Sequence, residues 1–183
     1  MAIRNSLRRW GSIAQLLHWV IVALIIVQVT LALIADNVTG YKKIAPLAYH
    51  KSVGITILGL ATLRLIWRWT NPTPALPDGL KPYERALAHF THAALYLLLF
   101  AQPLSGWMMS SARGFPVSWF GLIQLPDLVP KSKPLYEALL QTHDLLALAL
   151  GAVVLLHVAA ALKHHYVLKD DVLRRMLPFT KTR

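Results

Sequence analysis

The chain has 183 residues, 56% of them hydrophobic and only 15% charged, with a mean hydropathy of +0.49 and a formal net charge of +11. Soluble domains carry about a quarter charged residues. This composition therefore excludes an ordinary soluble globule, and the basic excess reads as loop charge on a membrane protein, with no nucleic-acid partner needed.

A membrane-crossing helix needs about 20 mostly apolar residues. Four stretches qualify, in chain order about 13–34, 47–67, 86–109 and 139–162. Arg4, Arg8 and Arg9 ahead of the first give it the look of a secretory signal. Its apolar run is longer than a signal core and no small-residue cleavage site follows, so it is read as a retained span. Asn71-Pro72-Thr73-Pro74, with Pro77 and Pro82, stops the second helix and bridges to the third. Between the third and fourth, residues 115–134 hold four prolines and the apolar stretch WFGLIQL, residues 119–125, read as a small interfacial helix on the bilayer surface. The expected fold is all-α: one domain over 1–183, an integral membrane four-helix bundle.

Orientation follows from the basic residues. With four spans, both termini and the linker between the second and third share a side, which takes 13 Lys and Arg against 6 on the other, Lys181 and Arg183 among the 13. The positive-inside rule puts that side in the cytoplasm. Asp78 and the other carboxylates fall in loops, tails or at span ends, so none sits at mid-bilayer, where a proton pump or cation transporter would want one.

The absence of Cys rules out disulfides, Cys-ligated iron–sulfur clusters and zinc sites, and the C-x-x-C-H attachment of a c-type haem. Chemistry then falls to the histidines. His18 lies just inside the first span and His50 just inside the second, with His143 near the start of the fourth and His157 near its end. His143 and His157 are 14 residues apart, hence on one helix face and about 21 Å apart along the axis. By depth His18 matches His157 on the cytoplasmic side, and His50 matches His143 on the outer side. One such histidine is ordinarily an interface or bundle residue. Two pairs at two depths are what two stacked b-type haems need, each iron taking an imidazole from either face. A shared zinc site would gather its ligands at one depth, which the 21 Å spread of about four helical turns argues against. Gly54 and Ala147, one turn after His50 and His143, are small enough to let a flat macrocycle approach.

Other polar residues have two readings each. Arg64 shares a face with His50 at the inner level, where it would pair with haem propionates or snorkel to lipid headgroups. Lys51 and Arg113 are the corresponding propionate candidates at the outer level. His89 and His92 would contact propionates or a quinone, or serve as interface residues. His164, His165 and Lys81 are placed to meet a quinone head group; the alternative for the two histidines is an interfacial anchor.

These residues sit in motifs that carry a resemblance. LLHW at His18, YHKSVGI at His50, the NPTPALP linker, AHFTHAALYLLLFAQPLSGW in the third helix and THDLLALALGAVVLLHVAAALKHHYVLKDDVLRRM at the end together resemble the bacterial cytochrome b561 family, over nearly the whole chain. The resemblance implies an inner-membrane protein with four spans, two haems b and ligands at His18, His50, His143 and His157. One kind of member takes electrons from superoxide on the periplasmic side and passes them to ubiquinone. The other kind is a haem-bearing anchor subunit of a quinone-linked dehydrogenase or hydrogenase. Lys42, Lys43, Arg113, Lys131 and Lys133 make the outer loops cationic, which would steer superoxide or another small anionic donor inward, or else are solvated loop charges. A colourless adaptor or metal carrier is the remaining reading of a membrane bundle with these residues.

Overall fold

The computed structural model describes residues 2–77 and 79–180; Asp78, Lys181 and Arg183 lie outside the described residues. Four long helices form: α1 Ser12–Asp36, α2 Ile44–Thr70, α3 Pro82–Arg113 and α4 Lys133–Leu162. All four are long and apolar enough to cross a membrane. A 3₁₀ turn, Gly40–Lys43, leads into α2, and a π-helical turn, Lys163–Leu168, extends α4. The helices run three to six residues beyond the apolar windows at several ends, because polar caps rather than hydrophobicity terminate them. Pro82 opens α3 behind Lys81, whose backbone N–H reaches Glu84 Oε2 at 3.2 Å. Gly114, at φ 78°, closes α3 in the left-handed conformation. Ser132 accepts the Leu135 N–H to start α4.

WFGLIQL is not a helix. Val117–Trp119 (β1) pairs antiparallel with Ile123–Leu125 (β2). Phe120 and Gly121 turn between them at φ 50° and 74°, with the Leu122 N–H closing onto the Trp119 carbonyl. Positive φ at both central residues is the signature of hairpin turns, and Gly supplies it without steric cost. Pro116 and Pro126 bracket a segment too short for a stable helix, and its central glycine disfavours one further. The hairpin docks on α2 through Ser52, whose Oγ accepts the Phe120 N–H at 3.0 Å and lies 3.1 Å from the Ser118 carbonyl. Trp119 Nε1 donates to Thr56 Oγ1.

The helices form two antiparallel pairs, α1 with α2 and α3 with α4, joined where α2 meets α3. The small core lies along the first pair and its joint with α3: Ala14, Ile21, Val53, Ile57, Ala61 and Leu98 are buried. Large apolar side chains point outward, Leu97, Leu148 and Leu155 each being 70–73% exposed. In water such faces would be a liability; in a bilayer lipid covers them.

The bundle has two dissimilar ends. At the hairpin end, β1 packs on α2 and carries β2 beside it. At the tail end, residues 169–180 fold back across α1. Gln15 Nε2 donates to the Arg175 carbonyl at 3.0 Å, Trp19 Nε1 to Met176 at 2.9 Å and Arg9 Nη2 to Leu177 at 2.9 Å. Arg175 donates to Ala75, so the tail also ties to the linker between α2 and α3.

Candidate functional site

Helices in direct contact run 8–10 Å axis to axis, with Cα atoms about 2.3 Å off each axis, so facing Cα atoms fall well inside 8 Å. Among the described residues no Cα of α4 comes within 8 Å of one in α1 or α2. α4 therefore stands off from the first pair, and none of its residues is buried. The four histidines face one another across that slot. At the hairpin end, His50 of α2 and His143 of α4 have ring centroids 6.3 Å apart. At the tail end, His18 of α1 and His157 of α4 have centroids 6.3 Å apart. The planes meet at 73° in both. Between His143 and His157 α4 is uninterrupted, which separates the two levels by about 21 Å.

This spacing fits a metal held between two imidazoles. With a metal–nitrogen bond of about 2.0–2.1 Å on each side and about 1.1 Å from nitrogen to ring centre, the two imidazoles of each pair would have room to hold a metal between them. The chemistry of the donors agrees. His50 Nδ1 lies 3.3 Å from the Gln28 carbonyl, which can only accept, so Nδ1 carries the hydrogen and Nε2 the lone pair. His143 Nδ1 lies 2.9 Å from Ser105 Oγ, and its Nε2 lies 3.2 Å from Gln102 Nε2. An iron bound at that Nε2 would take the lone pair the Gln102 amide now uses, and the amide would turn aside. Gly106 clears space for the ring: a Cβ there would meet His143 Cε1 at 2.9 Å. Gly54 is likewise tight, against the Gln28 side chain at 3.3 Å, whereas Ala147 is exposed.

The other candidates divide between the two ends. Arg64 donates to the Ala14 carbonyl at 2.9 Å, within electrostatic range of His18 and His157. His92 also reaches this level, its ring 5.5 Å from His157. That is closer than two rings straddling a metal stand, so His92 packs against the pair. His89 lines a surface groove of about 370 Å³ with Leu80, Pro82, Arg85 and Ala86. His164 Nδ1 lies 2.5 Å from Asp170 Oδ2, and the buried His165 Nδ1 has no hydrogen-bond partner among the described residues. Lys81 lies over the Tyr83 ring, and Glu84 joins its helix start to Lys163 at 3.1 Å, next to His164.

At the hairpin end the cations gather around Phe115. Lys51 Nζ lies 5.7 Å and the Arg113 guanidinium 5.5 Å from the centre of its ring, and Arg113 also lies 4.5 Å from that of Tyr136. Lys51 also donates to the Pro116 carbonyl at 3.4 Å. The Lys131 stem packs beside Gly114. Lys43 and Lys133 differ, lying 3.9 Å from Asp36 and Glu137. Sequence reasoning passed over Gln28, Gln102, Ser105 and Gly106. The signal available was the polar and small run Gln102-Pro103-Leu104-Ser105-Gly106 inside an apolar span, where each polar side chain needs a partner.

A family profile described as prokaryotic cytochrome b561 matches residues 9–179. The chain belongs to this family. Cytochrome b561 proteins are haem b proteins of electron transport, so the four-helix bundle is one of an electron-transfer family and its membrane the inner membrane of a prokaryote. Curated relatives align over nearly full length. "Cytochrome b561 homolog 2" of Escherichia coli (strain K12) is 33% identical over 180 residues, covering 97% of this chain and 95% of the relative. "Probable superoxide oxidase CybB" of Yersinia pestis is 36% identical over 169 residues, covering 88% and 92%. "Cytochrome b561 homolog 1" of Escherichia coli (strain K12) is 29% identical over 172 residues, covering 90% and 94%.

Proposed function

We propose that this cytochrome b561 carries electrons across the membrane through two haems b, one held by His50 and His143 and the other by His18 and His157, from superoxide on the periplasmic side to ubiquinone. The observation that carries the reading is the pair of 6.3 Å imidazole spacings at two depths of one slot. Bound haem would supply one-electron carriage along α4. Two superoxide anions give up two electrons and become two molecules of dioxygen; ubiquinone takes those electrons with two protons. With both termini in the cytoplasm, the hairpin end faces the periplasm and its Lys51, Arg113 and Lys131 attract a small anion. At the tail end, Arg64 is available to haem propionates, and His164, His165 and the Lys81 segment lie where a quinone head group would meet the membrane surface. The resemblance to a relative named a probable superoxide oxidase supports this donor.

The test is a reduced-minus-oxidised spectrum of the purified protein, with haem quantified per chain, followed by mixing with superoxide and with ubiquinone. Two haems per chain, reduced by superoxide and reoxidised by quinone, are expected. Haem that superoxide fails to reduce, in a protein that co-purifies with a catalytic subunit, would favour a dehydrogenase or hydrogenase anchor instead. A colourless protein would remove both.

A further inference from the structure

We infer that Ser105 is a positioning residue for His143: its hydroxyl holds the ring with hydrogen on Nδ1 and the lone pair on Nε2 facing the slot, and through that bond lowers the redox potential of the haem at the hairpin end. The inference rests on the two-haem reading for its redox consequence, and on geometry alone for the state of the ring.

The argument is one of proton counting. A serine hydroxyl has one hydrogen. Ser105 Oγ lies 2.8 Å from the carbonyl of Gln102, which can only accept, so the hydroxyl proton has its partner there. Toward His143 Nδ1, at 2.9 Å, Ser105 then offers only a lone pair, and the ring must be the donor. A neutral imidazole that donates from Nδ1 is bare at Nε2. Gln102 Nε2, at 3.2 Å from His143 Nε2, is in keeping with a lone pair there. Ser105 is 6% exposed, so water does not compete well for this bond. Gly106 belongs to the same cradle: without a Cβ it lets the ring lie close against α3, within reach of Ser105. α3 carries neither histidine of this pair, yet it decides how one of them presents itself.

A hydrogen bond donated from Nδ1 makes the imidazole a stronger base toward metal. A more basic ligand favours the ferric state, so the bond lowers the midpoint potential, and its loss raises it. Redox titration of the haem-loaded protein should show Ser105→Ala raising the reduced-to-oxidised ratio of the hairpin-end haem about tenfold at fixed potential, about 59 mV for one electron. The tail-end haem is the internal control and should not move. Ser105→Thr, which keeps the hydroxyl, should restore the original potential. An unchanged potential in Ser105→Ala, an equal shift in both haems, or a threonine variant that behaves like alanine would overturn the inference. A separate readout needs no haem: ¹⁵N shifts of ring-labelled histidine report the tautomer of His143 in the unmutated chain. Hydrogen on Nδ1 is expected. Hydrogen on Nε2 would overturn the inference while leaving the two-haem reading standing, and too few haems per chain with hydrogen on Nδ1 would do the reverse.

Discussion

Each of the four slot-facing histidines lies on a helix whose remaining contacts fix its depth, so single substitutions should act on one level at a time. His143 meets His50, and His157 meets His18, with about 21 Å of α4 between the levels. Low-spin haem iron with two imidazoles needs both of them. Replacing His143 by Ala should therefore remove the hairpin-end haem and leave about one haem per chain, and replacing His157 by Ala should do the same at the tail end. Haem content with the spectrum of the survivor measures this; a full complement with an unchanged spectrum in either variant would show that the pairing is wrong. His92 gives the contrast. Its ring packs 5.5 Å from His157, so His92→Ala should keep both haems.

At the scale of elements, the hairpin is the part whose stability rests on few bonds. Ser52 is buried and accepts the Phe120 N–H, its single hydroxyl proton is shared between the Ala48 carbonyl at 2.9 Å and the Ser118 carbonyl at 3.1 Å, and it sits two residues beyond His50. Ser52→Ala would leave the Phe120 N–H without its partner, at a cost of about 1–3 kcal/mol. Hydrogen exchange at Phe120 should quicken accordingly, about tenfold or more, while α2 itself stays protected. Unchanged exchange there would mean that Trp119 and Thr56 alone hold the hairpin. The misreading of this segment belongs to the same scale. Trp119–Leu125 has an apolar content that suits an interfacial helix and a strand pair equally, and the outcome turned on Gly121, the flanking prolines and a serine two turns into α2. Those last contacts are 66–68 residues apart in sequence.

For the molecule as a whole, the two ends differ in charge and cover. The hairpin end gathers Lys51 and Arg113 around one ring with Lys131 close by, and the tail end is closed by residues 169–180 bonded to Arg9, Gln15 and Trp19. If the donor is superoxide, its attraction to the hairpin end should weaken as the screening length shrinks from about 30 Å at 10 mM salt to about 8 Å at 150 mM. The rate of haem reduction by superoxide should fall over that range. Lys131→Gln should lower the low-salt rate roughly two- to fivefold and flatten the salt dependence, with the haem spectrum unchanged. Lys133, already beside Glu137, should matter less. A rate indifferent to salt and to Lys131 would remove steering from the account.

Composition and periodicity by themselves determined the membrane, the four spans, the absence of thiolate chemistry and the depths of His18, His50, His143 and His157. The reason is that a bilayer imposes a length and a polarity on every crossing segment, and helical rise converts residue number into depth. What lies between the histidines is set by packing between helices. The standoff of α4 from α1 and α2 depends on how the two helix pairs join, which no single helix encodes. The cradle of Gln102, Ser105 and Gly106 around His143 is likewise a contact between helices, set by which face of α3 meets α4. Sequence spacing gives height along an axis; the rotation of one helix against another, and so the partner of each nitrogen, comes only from packing.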